Sequence, residues 1–146
     1  MSHRLAIVIS HFNERVTSGL LTGALAELEA RGHAVSKDDI FNAPGAFEIP
    51  LVAKKLALSG KFAGVVCIGA VIKGETAHFE YISDAAAHGL MQASLETGVP
   101  LSFGILTTYT ADQAFRRSAD DAHNKGREAA AAVVEALEVL GKVAAA

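Results

Sequence analysis

The chain has 146 residues, a length that suits one compact domain over 1–146. Its 13 basic and 16 acidic residues leave a net charge of −3 with no basic stripe, which argues against nucleic acid or an anionic membrane as a partner. A single cysteine, Cys67, excludes an internal disulfide, and the six histidines show no metal-ligand spacing, so no metal site is expected.

The opening MSHRLAIVIS has too short an apolar core for a signal peptide. Within it, Arg4 to Ser10 reads as a buried strand rich in β-branched residues. His11-Phe12-Asn13 reads as a turn. A helix fits from about Asn13 to Arg31, because Leu20, Leu21, Ala24, Leu25 and Leu28 recur at helical spacing and Gly32 is a natural stop. His33 to Asn42 reads as a second strand, interrupted by Lys37-Asp38-Asp39. Ala43 to Ala46 is a loop, and Phe47 to Ser59 a helix with Pro50 in its first turn.

Phe62 to Ile68 is the third strand. A helix from about Ala77 to Thr97 follows, ended by Gly98 and Pro100. Leu101 to Thr107 is the fourth strand, Asp112 to Arg117 a short helical turn, and Asn124 to Leu140 the last helix. Its run Ala129 to Val134 is apolar on several sides, which predicts burial on more than one face. No apolar run reaches the ~18 residues that span a bilayer, so a cytoplasmic chain is expected. Yet hydrophobic residues make up 51% of it, more than a soluble monomer readily hides, which predicts an oligomer. Strand and helix alternate throughout. The pattern predicts an α/β, flavodoxin-like three-layer α/β/α sandwich with a four-stranded parallel sheet.

In such sheets ligands bind beyond the carboxyl ends of the strands. Four polar loops lie there: His11 to Asn13, Pro44 to Glu48, Ala70 to His78, and Thr107-Thr108. The run from Gly69 to Thr76 has the glycine spacing of a nucleotide-binding P-loop but carries Glu75 where that motif needs lysine, so an NTPase is excluded. The helix start near Glu75 and Thr76 still offers free amides for one phosphate; Thr76 as a plain cap is the alternative. His78, in the first helical turn, suits proton transfer or is an ordinary surface imidazole. Phe12 stacks on a flat heterocycle or belongs to the core, and Phe103 is by default a core aromatic. Glu48 serves the helix dipole or accepts from hydroxyls. Arg116, Arg117 and Lys125 are the cations available to an anionic substrate.

Taken in order, Phe12-Asn13 with TSGLLTGA, PGAFEIP at 44–50, GAVIKGETAHFEY at 69–81, VPLSFGILTT at 99–108, DQAFRR at 112–117 and NKGREAA at 124–130 resemble the lumazine synthase family of riboflavin biosynthesis over nearly the whole chain. That family joins 5-amino-6-ribitylaminouracil to 3,4-dihydroxy-2-butanone 4-phosphate with loss of phosphate and water. The resemblance implies that Phe12 stacks on the pyrimidine, that Ala46, Phe47 and Glu48 line the ribityl site, and that Ala70, Val71 and Ile72 offer backbone groups to the pyrimidine edge. It places Gly74, Glu75 and Thr76 by the butanone phosphate, which Arg117 neutralises, and gives His78 the proton transfer. Phe103 and Lys125 match further pocket residues, with Phe103 reaching the site from a neighbouring subunit. It also implies no cofactor, two small-molecule substrates, and a homopentamer or a sixty-subunit shell of pentamers. Lys73 departs from the family's usual arginine, and Ala70 from an often polar residue. A flavin- or lumazine-binding or shell-forming paralogue with little catalysis is the competing reading.

Overall fold

Leu5 to Ser10 is buried at every position, as befits a strand covered on both faces. The computed structural model describes residues 2–146. The elements follow as β1 (Leu5–Ser10), α1 (Glu14–Ala30), β2 (Ile40–Ala43), α2 (Ile49–Leu58), β3 (Gly64–Ile72), α3 (His78–Thr97), β4 (Leu101–Thr108), α4 (Ala111–Arg117) and α5 (Lys125–Ala145). The four strands are parallel, in the order β2-β1-β3-β4. This is the flavodoxin-like three-layer sandwich that the alternation predicts.

Strand alternation sorts the core into two layers. Leu5, Ile7, Ile9, Val66, Ile68 and Leu106 face Val16, Leu20, Ala24 and Leu28 of α1 and Ala129, Ala130, Val133 and Val134 of α5. Ala6, Val8, Val65, Cys67 and Ile105 face Ile49 and Ala53 of α2 and Ala86 and Leu90 of α3. Cys67 is fully buried in the second layer, and burial pushes its thiol far above the usual range.

The expected second strand shrinks to four residues. Lys37-Asp38-Asp39 forms a 3-10 turn capped by the Ser36 hydroxyl, which accepts from the Asp38 N–H at 3.3 Å. The third strand starts two residues later than expected, at Gly64, and ends four later, because pairing with β4 continues to Ile72 opposite Thr108. The last helix continues through Gly141 to Ala145. Its small-residue run is buried along one stripe of this chain, whereas Ala132 is exposed, so the expected burial on several faces does not occur within one subunit.

Two contacts fix the ends of these elements. Asn124, 1% exposed, donates to the carbonyls of Gly19 at 3.1 Å and Ala119 at 2.9 Å and accepts from the Arg127 N–H at 3.1 Å. This holds the start of α5 so close to α1 that a Cβ on Gly126 would lie 1.9 Å from the Leu20 carbonyl oxygen. At the other end of the sheet, Arg4 grips the buried Asp39 through Nε at 3.0 Å and Nη2 at 2.8 Å, while its guanidinium lies 4.8 Å from the centre of the Phe62 ring. Hydrogen bonds from Arg4 hold the Asp39 carboxyl below its ordinary value, against the opposing pull of burial.

Gly126→Ala is expected to force α1 and α5 apart and lower stability by roughly 2 kcal/mol, beyond the small gain in helix propensity. An unchanged urea midpoint would contradict this packing. The Arg4–Asp39 pair stabilises the fold above the ordinary carboxyl value of about 4, and that contribution disappears as pH falls through the lowered folded value. The gap in urea midpoint between wild type and Arg4→Met is therefore expected to hold steady above about pH 5 and to narrow as pH falls below about 4; a gap constant down to acid pH would assign it to packing on Phe62 alone.

Candidate active site

The chain leaves β1 for β2 on one side and then crosses to β3 on the other, so the sheet reverses direction at the β1–β3 junction. A ligand crevice is expected beyond the carboxyl ends of those two strands. A cleft of about 410 Å³ lies there, lined by Phe12, Asn13, Gly45, Ala46, Phe47, Glu48, Ala70, Val71, Ile72, His78 and Ile82.

Its geometry starts from unequal strand lengths. β1 pairs with β3 as far as Ile9 opposite Ile68, and ends at Ser10. β3 continues to Ile72, held on its other side by β4. From Gly69 onward the β1 side of β3 has no strand partner, so peptide groups there face the cleft. Asn13 occupies one of them, donating from its side-chain amide to the Ala70 carbonyl at 3.2 Å. By strand alternation the Ile72 peptide group points the same way.

Asn13 does this from a left-handed backbone conformation, φ 62°, ψ 52°, which asparagine tolerates better than most residues. Its carbonyl accepts from the amides of Val16 and Thr17 and so begins α1. The turn throws Phe12 into the open, where the ring is 69% exposed. Gly45 lies beneath it: a Cβ there would stand 3.1 Å from the Phe12 ring and 3.3 Å from a Glu48 carboxylate oxygen. Glycine is what lets ring and carboxylate converge. A 3-10 turn over Ala46–Glu48 buries Ala46 and leaves Phe47 exposed, and the Glu48 carboxylate has no protein partner among the described residues. His78 opens α3 across the cleft; its N–H donates to the Thr76 hydroxyl at 3.4 Å. Thr76 is thus a weak local brace, while the helix cap position belongs to Ala77.

The structure brings Phe12, Ala46, Phe47, Glu48, Ala70, Val71, Ile72 and His78 into one cleft. Gly74, Glu75 and Thr76 stand exposed on the loop above it. Phe103, Arg117 and Lys125 do not join them. They line a second cleft of about 400 Å³ along the open edge of β4, with Thr107, Tyr109, Gln113 and His123. There Arg117 donates to the Gln113 carbonyl at 3.3 Å, and Lys125 pairs with Glu128 at 3.2 Å. The candidate residues therefore fall into two separate clefts on one chain.

Sequence reasoning assigned no role to Asn13 or Gly45, although both lie inside the quoted motifs. An asparagine closing a strand–helix turn and a glycine before Ala-Phe-Glu were the available signals. Ile82, one turn after His78, also lines the cleft, and no local motif marks it.

The chain is similar to known proteins along nearly its whole length. The family model described as 6,7-dimethyl-8-ribityllumazine synthase matches residues 2–141. A Caulobacter vibrioides protein named 6,7-dimethyl-8-ribityllumazine synthase 1 is 59% identical over 140 residues, covering 96% of this chain and 92% of the relative. A synthase of the same name from Salinibacter ruber is 48% identical, covering 97% and 90%. One from Protochlamydia amoebophila is 46% identical, covering 96% and 81%. The chain belongs to the 6,7-dimethyl-8-ribityllumazine synthase family.

Proposed function

We propose that this protein condenses 5-amino-6-ribitylaminouracil with 3,4-dihydroxy-2-butanone 4-phosphate to give 6,7-dimethyl-8-ribityllumazine, phosphate and two waters. The observation that carries the reading is the unpaired edge of β3 facing the exposed Phe12 ring. A flat, hydrogen-bonding heterocycle needs both a ring to stack on and a row of peptide groups along its edge. Family membership and the relatives' names support the same reaction and disfavour a non-catalytic paralogue.

In this reading the pyrimidine lies on Phe12, with its edge along Ala70 to Ile72. The ribityl chain runs over Ala46 and Phe47, and its hydroxyls donate to the Glu48 carboxylate. The substrate amine attacks the ketone and water leaves as the imine forms. Elimination expels phosphate, and ring closure releases the second water. Every step moves protons, and His78 is the titratable group placed beside both reactants. Holding two reactants in register supplies much of the remaining acceleration. Backbone amides of Gly74, Glu75 and Thr76, with the Thr76 hydroxyl, receive the phosphate, and Arg117 neutralises it.

Because Phe103, Arg117 and Lys125 stand on a separate edge, the working site joins the first cleft of one subunit to the second cleft of another. The open strand β4 and the exposed Leu51, Leu58, Tyr81, Met91 and Leu95 on α2 and α3 suit burial in a ring. We assign a cytoplasmic homopentamer. Among the described residues no helix is long and apolar enough to cross a membrane.

Purified protein with both substrates is expected to form the fluorescent lumazine faster than the uncatalysed condensation; no acceleration would refute the reaction. His78→Ala is expected to slow turnover by about 10²-fold, the low end for one acid–base group, with particle mass unchanged. Phe12→Ala and Lys125→Ala chains are each expected to be nearly inactive alone. Refolded together, they are expected to recover activity in particles of five times the 15.2 kDa chain mass. Absence of recovery would place each site within a single subunit.

A further inference from the structure

Lys73 has no part in the chemistry above, yet it is held firmly. Its N–H donates to the Thr108 carbonyl at 2.9 Å, extending the β3–β4 ladder one step past Ile72. Its ammonium then lies 5.6 Å from the centre of the Tyr109 ring. The same ring meets Phe79, in the first turn of α3, with centroids 5.9 Å apart and planes tilted by 41°. Phe79 is itself partly buried against the α2–α3 core layer. One aromatic ring therefore touches both ends of the short loop from Gly74 to Ala77.

That loop has little else to shape it. Between Lys73 and His78, the described side-chain hydrogen bonding is the long contact between the Thr76 hydroxyl and the His78 N–H at 3.4 Å. Gly74 adds no side chain, and a Cβ there would meet nothing within 4 Å. A segment so sparsely tethered loses backbone freedom when it closes on an anion, and that loss weakens binding. Tyr109 is well placed to prepay it. Its N–H is fixed by the Gln113 side-chain carbonyl at 2.9 Å, and Gln113 is anchored to the Thr110 hydroxyl at 3.2 Å, so the ring stands on a braced turn. Tyr109 is 67% exposed and engages both neighbours through its ring.

We propose that Tyr109, with Lys73 against its ring, is a positioning residue for the substrate phosphate: it clamps both ends of the Gly74–Ala77 loop and fixes the shape that receives the anion. The proposal rests on the reaction assigned above, and gives Lys73 a role that requires a cation over a ring and no contact with substrate.

Steady-state kinetics with each substrate varied in turn test it. Tyr109→Ala is expected to raise KM for the butanone phosphate roughly 5-fold, and Lys73→Met roughly 2- to 5-fold, the scale of exposed cation–π and aromatic contacts. KM for the pyrimidine is expected to stay within about 2-fold. Tyr109→Phe, which keeps the ring, and Lys73→Arg, which keeps the cation, are expected to restore the wild-type value. Equal changes in both KM values, or none, would overturn the clamp. Inorganic phosphate titrated calorimetrically into the same proteins reads the loop without turnover and is expected to bind Tyr109→Ala more weakly by the same factor. Wild type that binds phosphate but forms no lumazine would refute the reaction alone. Equal phosphate affinity in wild type and Tyr109→Ala would refute the clamp alone.

Discussion

A single buried amide, that of Asn124, sets the geometry on which the packing of α1 on α5 and the edge cleft beside β4 depend. Its two donor hydrogens and its acceptor oxygen are all satisfied, by Gly19, Ala119 and the Arg127 N–H. A buried amide left unpaired costs on the order of 1–3 kcal/mol for each group, so this arrangement tolerates few alternatives. The bonds reach three elements at once: α1, the segment that follows α4, and the first turn of α5. They hold α1 and α5 at the spacing where Gly126 meets Leu20. They also settle where Lys125 and Arg117 stand, since one follows Asn124 directly and the other precedes the bonded segment. A packing device on one face of the sheet thereby orients the cations at its edge.

The first cleft follows from a difference in strand length. β1 ends at Ser10 while β3 runs on to Ile72, supported from the other side by β4. Equal strands would have satisfied those peptide groups within the sheet and left no polar edge for a ligand. Asn13 makes the shortfall possible. It turns the chain out of β1 in a left-handed conformation, begins α1 with its carbonyl and ties back to Ala70 with its side chain. Phe12 is exposed as a result of that turn. The cleft is thus built from backbone that the fold itself fixes, an arrangement that lowers the ordering cost for a ligand.

The order of elements was legible because each strand is a short apolar run and each helix carries spaced leucines and alanines. Lys37-Asp38-Asp39 was misread as an interruption within a strand. Ser36 before two acidic residues is a capping signal, and the 3-10 turn it starts consumes most of the expected strand. The extension of β3 through Val71 and Ile72 was hidden because a strand's end depends on its partner, and Thr108 lies far along the chain. The loop residues Phe12, Ala46, Phe47, Glu48 and His78 could be named from their motifs. Their separation from Phe103, Arg117 and Lys125 within one chain is a matter of three-dimensional distance, which spacing along the sequence does not encode. Ala132, in the run Ala129 to Val134, is exposed on the single chain for a similar reason: composition does not say which neighbours cover a helix.

Cys67 carries a consequence of a different kind. It lies in a central strand with helices over both faces, fully buried, its thiol held protonated by that burial. Alkylating reagents attack the thiolate, so they reach this sulfur only when the sheet itself comes apart. Loop movement and surface fraying leave it untouched. The chain therefore contains its own chemical clock: labelling at Cys67 reports how often the whole fold opens, with no foreign probe and no change to the surfaces that bind substrate or neighbour.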